Sequence, residues 1–380
     1  MGTFDSLKPD FIAVQELLSG DGGSSDGGIM AANQLKDALG DNWTLRFCDT
    51  QAKGLGTKRN ERILFMWRAD HPLFSGRAAV LRTLVMNLLD SRSAAAAPAV
   101  GSGYSGVSLT QFIAAVTDGK LCQESDLQRE KQRILEQMKS DIGYTASSTF
   151  TFSRNPALLS FASDESAALP ALHILSFHLD TNKAENAAEI YVLRHLMTLA
   201  WKHGVQLVCM GDHNADEAAN VHAWSSLATV AAAAAGSTGD SFEAMSQRIF
   251  PQHLFTNRFP YALKPAHNDD IFAPKSWKLK ASEMGLIPAS VKEEEERLAV
   301  QSGDVKTKFT SLDQLWSDHR PLAASFQFDI SAPPSASRSV RLDRHVDSRS
   351  TADVLSQAPT PVKASGAIGG GNRLEQERGK

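Results

Sequence analysis

The sequence predicts an α+β fold in which short buried strands are separated by helices and loops. Three observations lead to this prediction: short apolar runs typical of buried strands, segments with helical periodicity between them, and a hydrophobic content of 42% over 380 residues. A chain of this length and composition can bury a full core within one large domain. The predicted strands are Phe11–Val14, Ile63–Trp67, Leu172–Phe177, Val205–Met210 and Leu322–Phe328.

Two helices are predicted between these strands. The first covers Ile29 to Leu39 and ends at Gly40. The second runs from about Lys183 to Lys202, and Gly204 follows it as a stop signal. The apolar face of the second helix consists of Ile190, Leu193, Leu196 and Met197.

Two further segments differ in composition from the predicted domain, which covers residues 1–329. In the segment from about residue 90 to residue 145, the first part is rich in Ser, Ala and Gly. A charged surface helix is predicted after it, over Leu127 to Ser140. This segment is expected to be a loop insertion. From residue 330 onward Pro, Ser, Gly and charged residues dominate, so residues 330–380 are expected to form a disordered tail.

Charge and cysteine content narrow the function classes. A formal net charge of −4 argues against tight, sequence-independent coating of nucleic acid, because that mode neutralises many phosphates. Cys48, Cys122 and Cys209 are far apart and in no metal-ligand spacing, so neither a disulfide framework nor a zinc site is indicated. There is no apolar run of about 20 residues and no signal-peptide core. An intracellular location is expected, unless a signal peptide lies upstream of Met1.

Acidic side chains, amides and histidines stand beside the ends of several predicted strands. They are Glu16 after the first strand, His178 after the third, Asp212 and Asn214 after the fourth, and Asp318 and His319 before the last. Each alone has a plainer interpretation: a strand-end carboxylate, a satisfied buried histidine, or a turn closed by Asx side chains. Their combination in this order indicates one site at one rim of a sheet.

The segments around these positions resemble the successive motifs of the endonuclease/exonuclease/phosphatase superfamily. In the family's order, they are Pro9–Glu16, Asn60–Arg68, Ser176–Leu179, Gly211–Asp216, Asn268–Ile271 and Ser317–Pro321. Asn60–Arg68 and Phe152–Ala157 are similar to the deoxyribonuclease I branch in particular. The resemblance implies a four-layer α/β/β/α sandwich with two packed, mixed and mainly antiparallel sheets.

The resemblance also implies a divalent-metal site. Glu16, Asp318 and Asp212 would hold Mg²⁺ or Mn²⁺, with Ca²⁺ as an additional structural ion, because these cations prefer oxygen ligands. Substrate phosphates would be bound by Arg154, Arg59 and Asn214.

Two histidine–carboxylate pairs are implied on opposite sides of one phosphate. His319 would be the general base, with its ring oriented by Asp269. His178 would be the general acid, oriented by Glu61 in the same manner. Asp212 and Asn214 would orient the attacking water, and we expect them to complete the catalytic set.

The start of the chain departs from the family pattern. Family members begin with a strand whose asparagine supports the metal site, and the residues before the motif ending at Glu16 cannot supply it. The first strand is therefore expected to be missing, either through N-terminal truncation or through a real loss. His213 and Asn268 stand where relatives commonly carry an aromatic residue.

Three functions stay open at this point. The leading one is a monomeric endonuclease that hydrolyses DNA. The second is a lipid or inositol-phosphate phosphodiesterase, because one fold hosts several phosphoester chemistries. Against it, the sequence has no Trp-Cys-Asp-Arg signature of inositol phosphatases and no long amphipathic hairpin suited to a membrane surface. The third is a catalytically silent binding domain, which would have no physical need for so many polar groups at a buried rim.

Overall fold

The structure is a computed structural model, and it describes nine segments of the chain. They are residues 8–18, 27–49, 61–85, 105–144, 150–180, 183–214, 245–249, 268–284 and 322–327. All of them lie within the first of two units into which the chain divides, Met1–Ala336. The predicted tail, together with Arg59, Asp318 and His319, lies outside the described residues.

The described residues form twelve strands and four helices. The strands are β1 (Phe11–Leu18), β2 (Trp43–Asp49), β3 (Glu61–Arg68), β4 (Ala79–Leu84), β5 (Ser105–Val107), β6 (Ala157–Phe161), β7 (Leu172–His178), β8 (Gln206–Asp212), β9 (Ser246–Arg248), β10 (Asp269–Pro274), β11 (Lys278–Met284) and β12 (Leu322–Gln327). The helices are α1 (Gly27–Leu39), α2 (Leu109–Val116), α3 (Glu124–Ile142) and α4 (Lys183–Lys202).

These strands make two sheets and a hairpin. The small sheet has the order β1-β3-β2 and is antiparallel. The large sheet has the order β5-β4-β6-β7-β8-β10-β9, with parallel pairs only at β4/β5 and β7/β8. The hairpin joins β11 to β12. Both sheets are thus mainly antiparallel, as the sequence resemblance predicts.

Strand β3 shows why the two sheets pack together. Successive side chains of a strand point to opposite faces. On one face Ile63, Phe65 and Trp67 join a core cluster with side chains of the large sheet, and the Trp67 ring meets Phe161 edge-on at 5.3 Å between centroids. On the other face Leu64 and Met66 pack against α1. The small sheet is therefore buried on both sides.

The large sheet is covered in the same way. On β7, Ile174 faces the small sheet, whereas Leu175 and Phe177 belong to a second cluster with the other three helices. Helix α4 contributes most to this cluster, and its predicted apolar face is fully buried. The layers are α1, the small sheet, the large sheet, and then α2 to α4. The four-layer sandwich expected from the sequence is confirmed.

Part of the predicted loop insertion belongs to the core. Helix α3 has the charged face that the sequence indicates. On its other face, Leu127, Ile134 and Met138 are buried in the second cluster, between the helices and the large sheet. Its amphipathic pattern therefore makes it a surface helix that packs its apolar face on the core. Among the described helices, none is long and apolar enough to cross a membrane.

Candidate active site

The candidate site lies where both sheets present the same edge. In the large sheet the parallel strands β7 and β8 end side by side, with His178 in register with Asp212. In the small sheet the antiparallel strands β1 and β3 place Leu18 opposite Glu61, so the end of β1 meets the beginning of β3. Four strands from distant parts of the sequence therefore deliver polar side chains to one place.

Gln15 joins the two sheets at this edge. Its amide Nε2 donates to the carbonyl of Phe177 at 2.8 Å and to the hydroxyl of Ser176 at 3.1 Å. Its Oε1 accepts from the backbone N–H of Asp212 at 3.0 Å. One amide thus binds both β7 and β8, and it fixes the neighbouring Glu16 relative to them.

Gly211 makes room for this contact. A Cβ atom at position 211 would lie 1.9 Å from the carbonyl oxygen of Phe177 and 2.7 Å from Gln15 Nε2. Atoms this close cannot coexist, so glycine is required here by the close approach of the backbones.

Glu16 lies inside a strand and not at its end, which corrects the sequence interpretation. Strand β1 continues to Leu18, and a bulge shifts its register with β3 between Val14 and Leu17. Glu16 sits in this bulge with φ of 57°, in the left-handed region that L-residues seldom occupy. The extra residue turns the Glu16 carboxylate toward the ends of β7 and β8.

His178 lies between three carboxylates. Its Nδ1 is 3.1 Å from Glu61 Oε2, while its Nε2 is 3.3 Å from Glu16 Oε1 and 3.6 Å from Asp212 Oδ2. The side chains of His178, Glu61 and Asp212 are nearly buried, whereas that of Glu16 is 50% exposed. The ring is therefore fixed from behind by Glu61, and its second nitrogen faces the open side of the site.

Arg154 approaches Glu61 from the opposite side. Its Nε is 2.6 Å from the same Glu61 Oε2, and its Nη1 donates to the carbonyl of Leu179 at 3.0 Å. Burial by itself raises the pKa of Glu61, but the contacts with His178 and Arg154 outweigh it, so the pKa lies below the usual value. Glu61 is thus held as a carboxylate between two cationic or proton-donating groups.

Asn214 is fixed immediately after β8. Its backbone N–H donates to Asp212 Oδ1 at 2.7 Å, and its side-chain Nδ2 donates to the carbonyl of Leu179 at 2.9 Å. Its φ of 46° is also left-handed, which Asn tolerates better than most residues. Asp269, on β10, stands directly opposite Asp212 in the antiparallel register.

Most of the site residues predicted from the sequence are brought together. They are Glu16, Glu61, Arg154, His178, Asp212, Asn214 and Asp269. Arg59, Asp318 and His319 lie outside the described residues, so the predicted pair of Asp269 with His319 stays a prediction. The sequence interpretation assigned no role to Gln15 or Gly211, although both stand beside assigned residues within the motifs.

Solved structures of known proteins match this chain over most of its length, while no family model and no curated protein matches it. The catalytic domain of human Nocturnin, solved with bound sulfate, is 12% identical with a TM-score of 0.40, and the match covers 86% of this chain and 83% of that one. An endonuclease/exonuclease/phosphatase from Bacteroides vulgatus is 12% identical with a TM-score of 0.43, covering 86% and 87%. TDP2 of D. rerio, complexed with a single-strand DNA product, is 10% identical with a TM-score of 0.37, covering 74% and 80%.

The chain is also similar to two further solved structures named as endonuclease/exonuclease/phosphatase proteins, from Beutenbergia cavernae and Bacteroides thetaiotaomicron.

The site contains residues that could hold a divalent cation, as the resemblance of the sequence motifs implies. Ligand atoms of Glu16, Glu61 and His178 lie within 4.8 Å of one another. Glu61 is already in contact with Arg154, whereas the carboxylate of Glu16 is half exposed, and Asp212 Oδ2 lies 3.6 Å from the same His178 Nε2. Carboxylate oxygens are the ligands that Mg²⁺ and Mn²⁺ prefer.

Proposed function

We propose that this protein is a divalent-metal-dependent phosphodiester hydrolase, and specifically a deoxyribonuclease I-like endonuclease that cleaves DNA. The observation that carries the proposal is the placement of His178. Glu61 holds one ring nitrogen at 3.1 Å, and the other nitrogen faces Glu16 and Asp212 at the open side of the site. A histidine oriented by a carboxylate beside a group of oxygen ligands is suited to moving a proton at a phosphate.

The roles follow from the needs of the reaction. Hydrolysis requires a nucleophilic water, relief of negative charge on the phosphate, and a proton for the leaving oxygen. Glu16 and Asp212 would hold the cation, which supplies the relief of charge when bound. His178 would donate the proton from Nε2, because its Nδ1 is held by Glu61. Asn214 would bind a phosphate oxygen beside it.

The second half of the mechanism rests on the sequence resemblance. His319 would take the proton of the attacking water, with Asp269 orienting its ring. The pairing of Asp269 with Asp212 in the register of β10 and β8 supports this role. Asp318 would complete the metal site beside His319.

Plasmid nicking tests the proposal. Supercoiled DNA is incubated with wild type, His178→Ala and His203→Ala in Mg²⁺, in Mn²⁺ or in EDTA. His203 follows α4 near the opposite end of the large sheet, so it serves as the matched control. We expect nicking by wild type and His203→Ala only with the cation, and a loss of at least about a hundredfold in His178→Ala.

Other outcomes separate the rival functions. Undiminished nicking by His178→Ala would remove the proton-donor assignment. If wild type leaves DNA intact but releases the phosphorylated headgroup from phosphoinositide vesicles, the lipid phosphodiesterase is the correct function. If neither substrate is cleaved with either cation, the chain is a silent binding domain.

A further inference from the structure

Glu189 is a fully buried carboxylate behind the candidate site. It lies on α4, and its two oxygens bind two different backbone segments. Oε1 accepts from the N–H of Ser153 at 2.6 Å, and Oε2 accepts from the N–H of Asp180 at 2.7 Å. The hydroxyl of Ser153 also donates to the Asp180 carboxylate, which ties the two segments to each other.

Both segments lead directly to site residues. Ser153 precedes Arg154, which contacts Glu61, and Asp180 follows Leu179. The carbonyl of Leu179 accepts from both Arg154 and Asn214, so the two side chains share one acceptor. The position of that carbonyl is therefore set by the peptide that Glu189 binds.

A second residue of α4 holds the third segment of this region. Asn186 Nδ2 donates to the carbonyl of Asp180 and to the carbonyl of His213, at 2.7 Å in each case. Through two polar side chains, helix α4 thus binds the chain before β6, after β7 and after β8. Almost all of its other buried residues are apolar.

We propose that Glu189 is a positioning residue of the active site, which fixes Arg154 and the Leu179 carbonyl so that Glu61 and Asn214 keep their places. This inference rests on the proposed function, because it names how the hydrolytic site is held. Glu189 does not touch the reacting groups; it acts through the two peptide N–H groups that it binds.

The chemistry of the carboxylate explains why Glu is needed. An ionised carboxylate has two oxygens that only accept hydrogen bonds, so it can satisfy both N–H groups. A neutral acid or an amide has one carbonyl oxygen that accepts, and its other group is a donor. Burial raises the pKa of Glu189 to about 7, and the two N–H groups oppose that rise. The titratable groups that interact with Glu189 are Asp180, from the segment after β7, and Tyr144, which follows α3. Burial, Glu185 and Glu189 together raise the pKa of Tyr144.

The decisive comparison is between Glu189→Gln and wild type across pH. Glu130→Gln serves as the matched control, because Glu130 is also a largely buried helix carboxylate, and it pairs with His195 at 3.5 Å between α3 and α4. Hydrolysis of bis(p-nitrophenyl) phosphate with Mn²⁺ gives kcat and KM, and hydrogen–deuterium exchange follows peptides covering residues 150–156 and 178–182.

We expect Glu189→Gln to lower kcat about tenfold or more above pH 8, with little change in KM, as for other groups that orient site residues. The ratio of wild-type to Gln-variant kcat should fall toward one as pH decreases through about 7, because protonated Glu189 accepts no better than Gln. Exchange in both peptides should rise in Glu189→Gln and stay unchanged in Glu130→Gln.

Three results would overturn the inference: a kcat ratio that does not change with pH, equal loss of kcat in both variants, or unchanged exchange in the two peptides. The exchange measurement needs no turnover. If wild type hydrolyses no phosphodiester, the proposed function fails, and the exchange data still decide whether Glu189 holds the two segments.

Discussion

Gln15 and Asp212 are joined across the two sheets by a hydrogen bond of 3.0 Å from the Asp212 backbone N–H to the Gln15 side-chain oxygen. The two residues are 197 positions apart in the sequence. Gln15 precedes Glu16, and Asp212 carries the other carboxylate of the proposed metal site. The bond therefore sets the distance between Glu16 on one sheet and Asp212 on the other. Several consequences can be measured.

Gln15→Met should lower both stability and activity. Methionine has a similar length, but it leaves the Asp212 N–H without its acceptor, at a cost of about 1–3 kcal/mol in the free energy of unfolding. The shift of Glu16 should reduce kcat by about ten- to a hundredfold. Urea unfolding and phosphodiesterase assays measure the two effects, with the exposed Gln128→Met as control. Full activity in Gln15→Met would contradict the bridging role.

Gly211→Ala should destabilise the domain. The added Cβ would lie 1.9 Å from the Phe177 carbonyl oxygen, so β7 and β8 must separate locally. The expected loss is about 1–3 kcal/mol or more in the free energy of unfolding. Because the nearest atom belongs to the backbone, adding Gln15→Ala should not restore stability. A double variant as stable as Gln15→Ala alone would show that the side chain, and not the backbone, limits the space.

Arg154→Gln should act mainly on kcat. Its described contacts are with Glu61 and the Leu179 carbonyl, so its loss releases the carboxylate that orients His178. The salt dependence of DNA binding should change little. The predicted phosphate contact Arg59 offers the comparison: Arg59→Gln should lower the slope of log affinity against log salt by about one. A comparable drop in slope for Arg154→Gln would favour a direct phosphate contact at Arg154.

His173 should make stability depend on pH at the acid side. Burial, together with the cations Arg82, Arg77 and Lys120, lowers its pKa from 6.5 to about 4. The unfolded chain therefore binds a proton more readily, and the neutral buried ring contributes stability that is present above pH 6.5 and is lost as pH falls through 4. The difference in unfolding free energy between wild type and His173→Gln should shrink over this window, by up to about 3 kcal/mol. A difference that stays constant would show that His173 is not buried in its neutral form.

The sequence predicts the strands that consist of long apolar runs. Strands β3, β7 and β8 are nearly continuous apolar runs, because both faces of each sheet are covered, and they are found close to their predicted positions. Strands β2 and β4 were not predicted, because Arg46 and Arg82 interrupt their apolar pattern. These two strands form because they pair with β3 and β6, and local composition does not reveal that pairing.

The same limit applies at the site. Glu16, His178 and Asp212 were identified because their motifs and order resemble a family, but the bulge that aims Glu16 depends on a backbone conformation that no side-chain pattern indicates. The sequence interpretation assigned no role to Glu189, although its position four residues before Leu193 places it on the predicted apolar face of the helix. It is buried because N–H groups of Ser153 and Asp180, brought by tertiary folding, surround it.

Electron paramagnetic resonance of bound Mn²⁺ tests whether Glu16 and Asp212 hold one divalent cation beside His178, as proposed. Wild type should bind one Mn²⁺ that Mg²⁺ displaces, and Glu16→Gln should bind it at least about tenfold more weakly while remaining folded. Equal Mn²⁺ affinity in wild type and Glu16→Gln would show that Glu16 does not hold the cation.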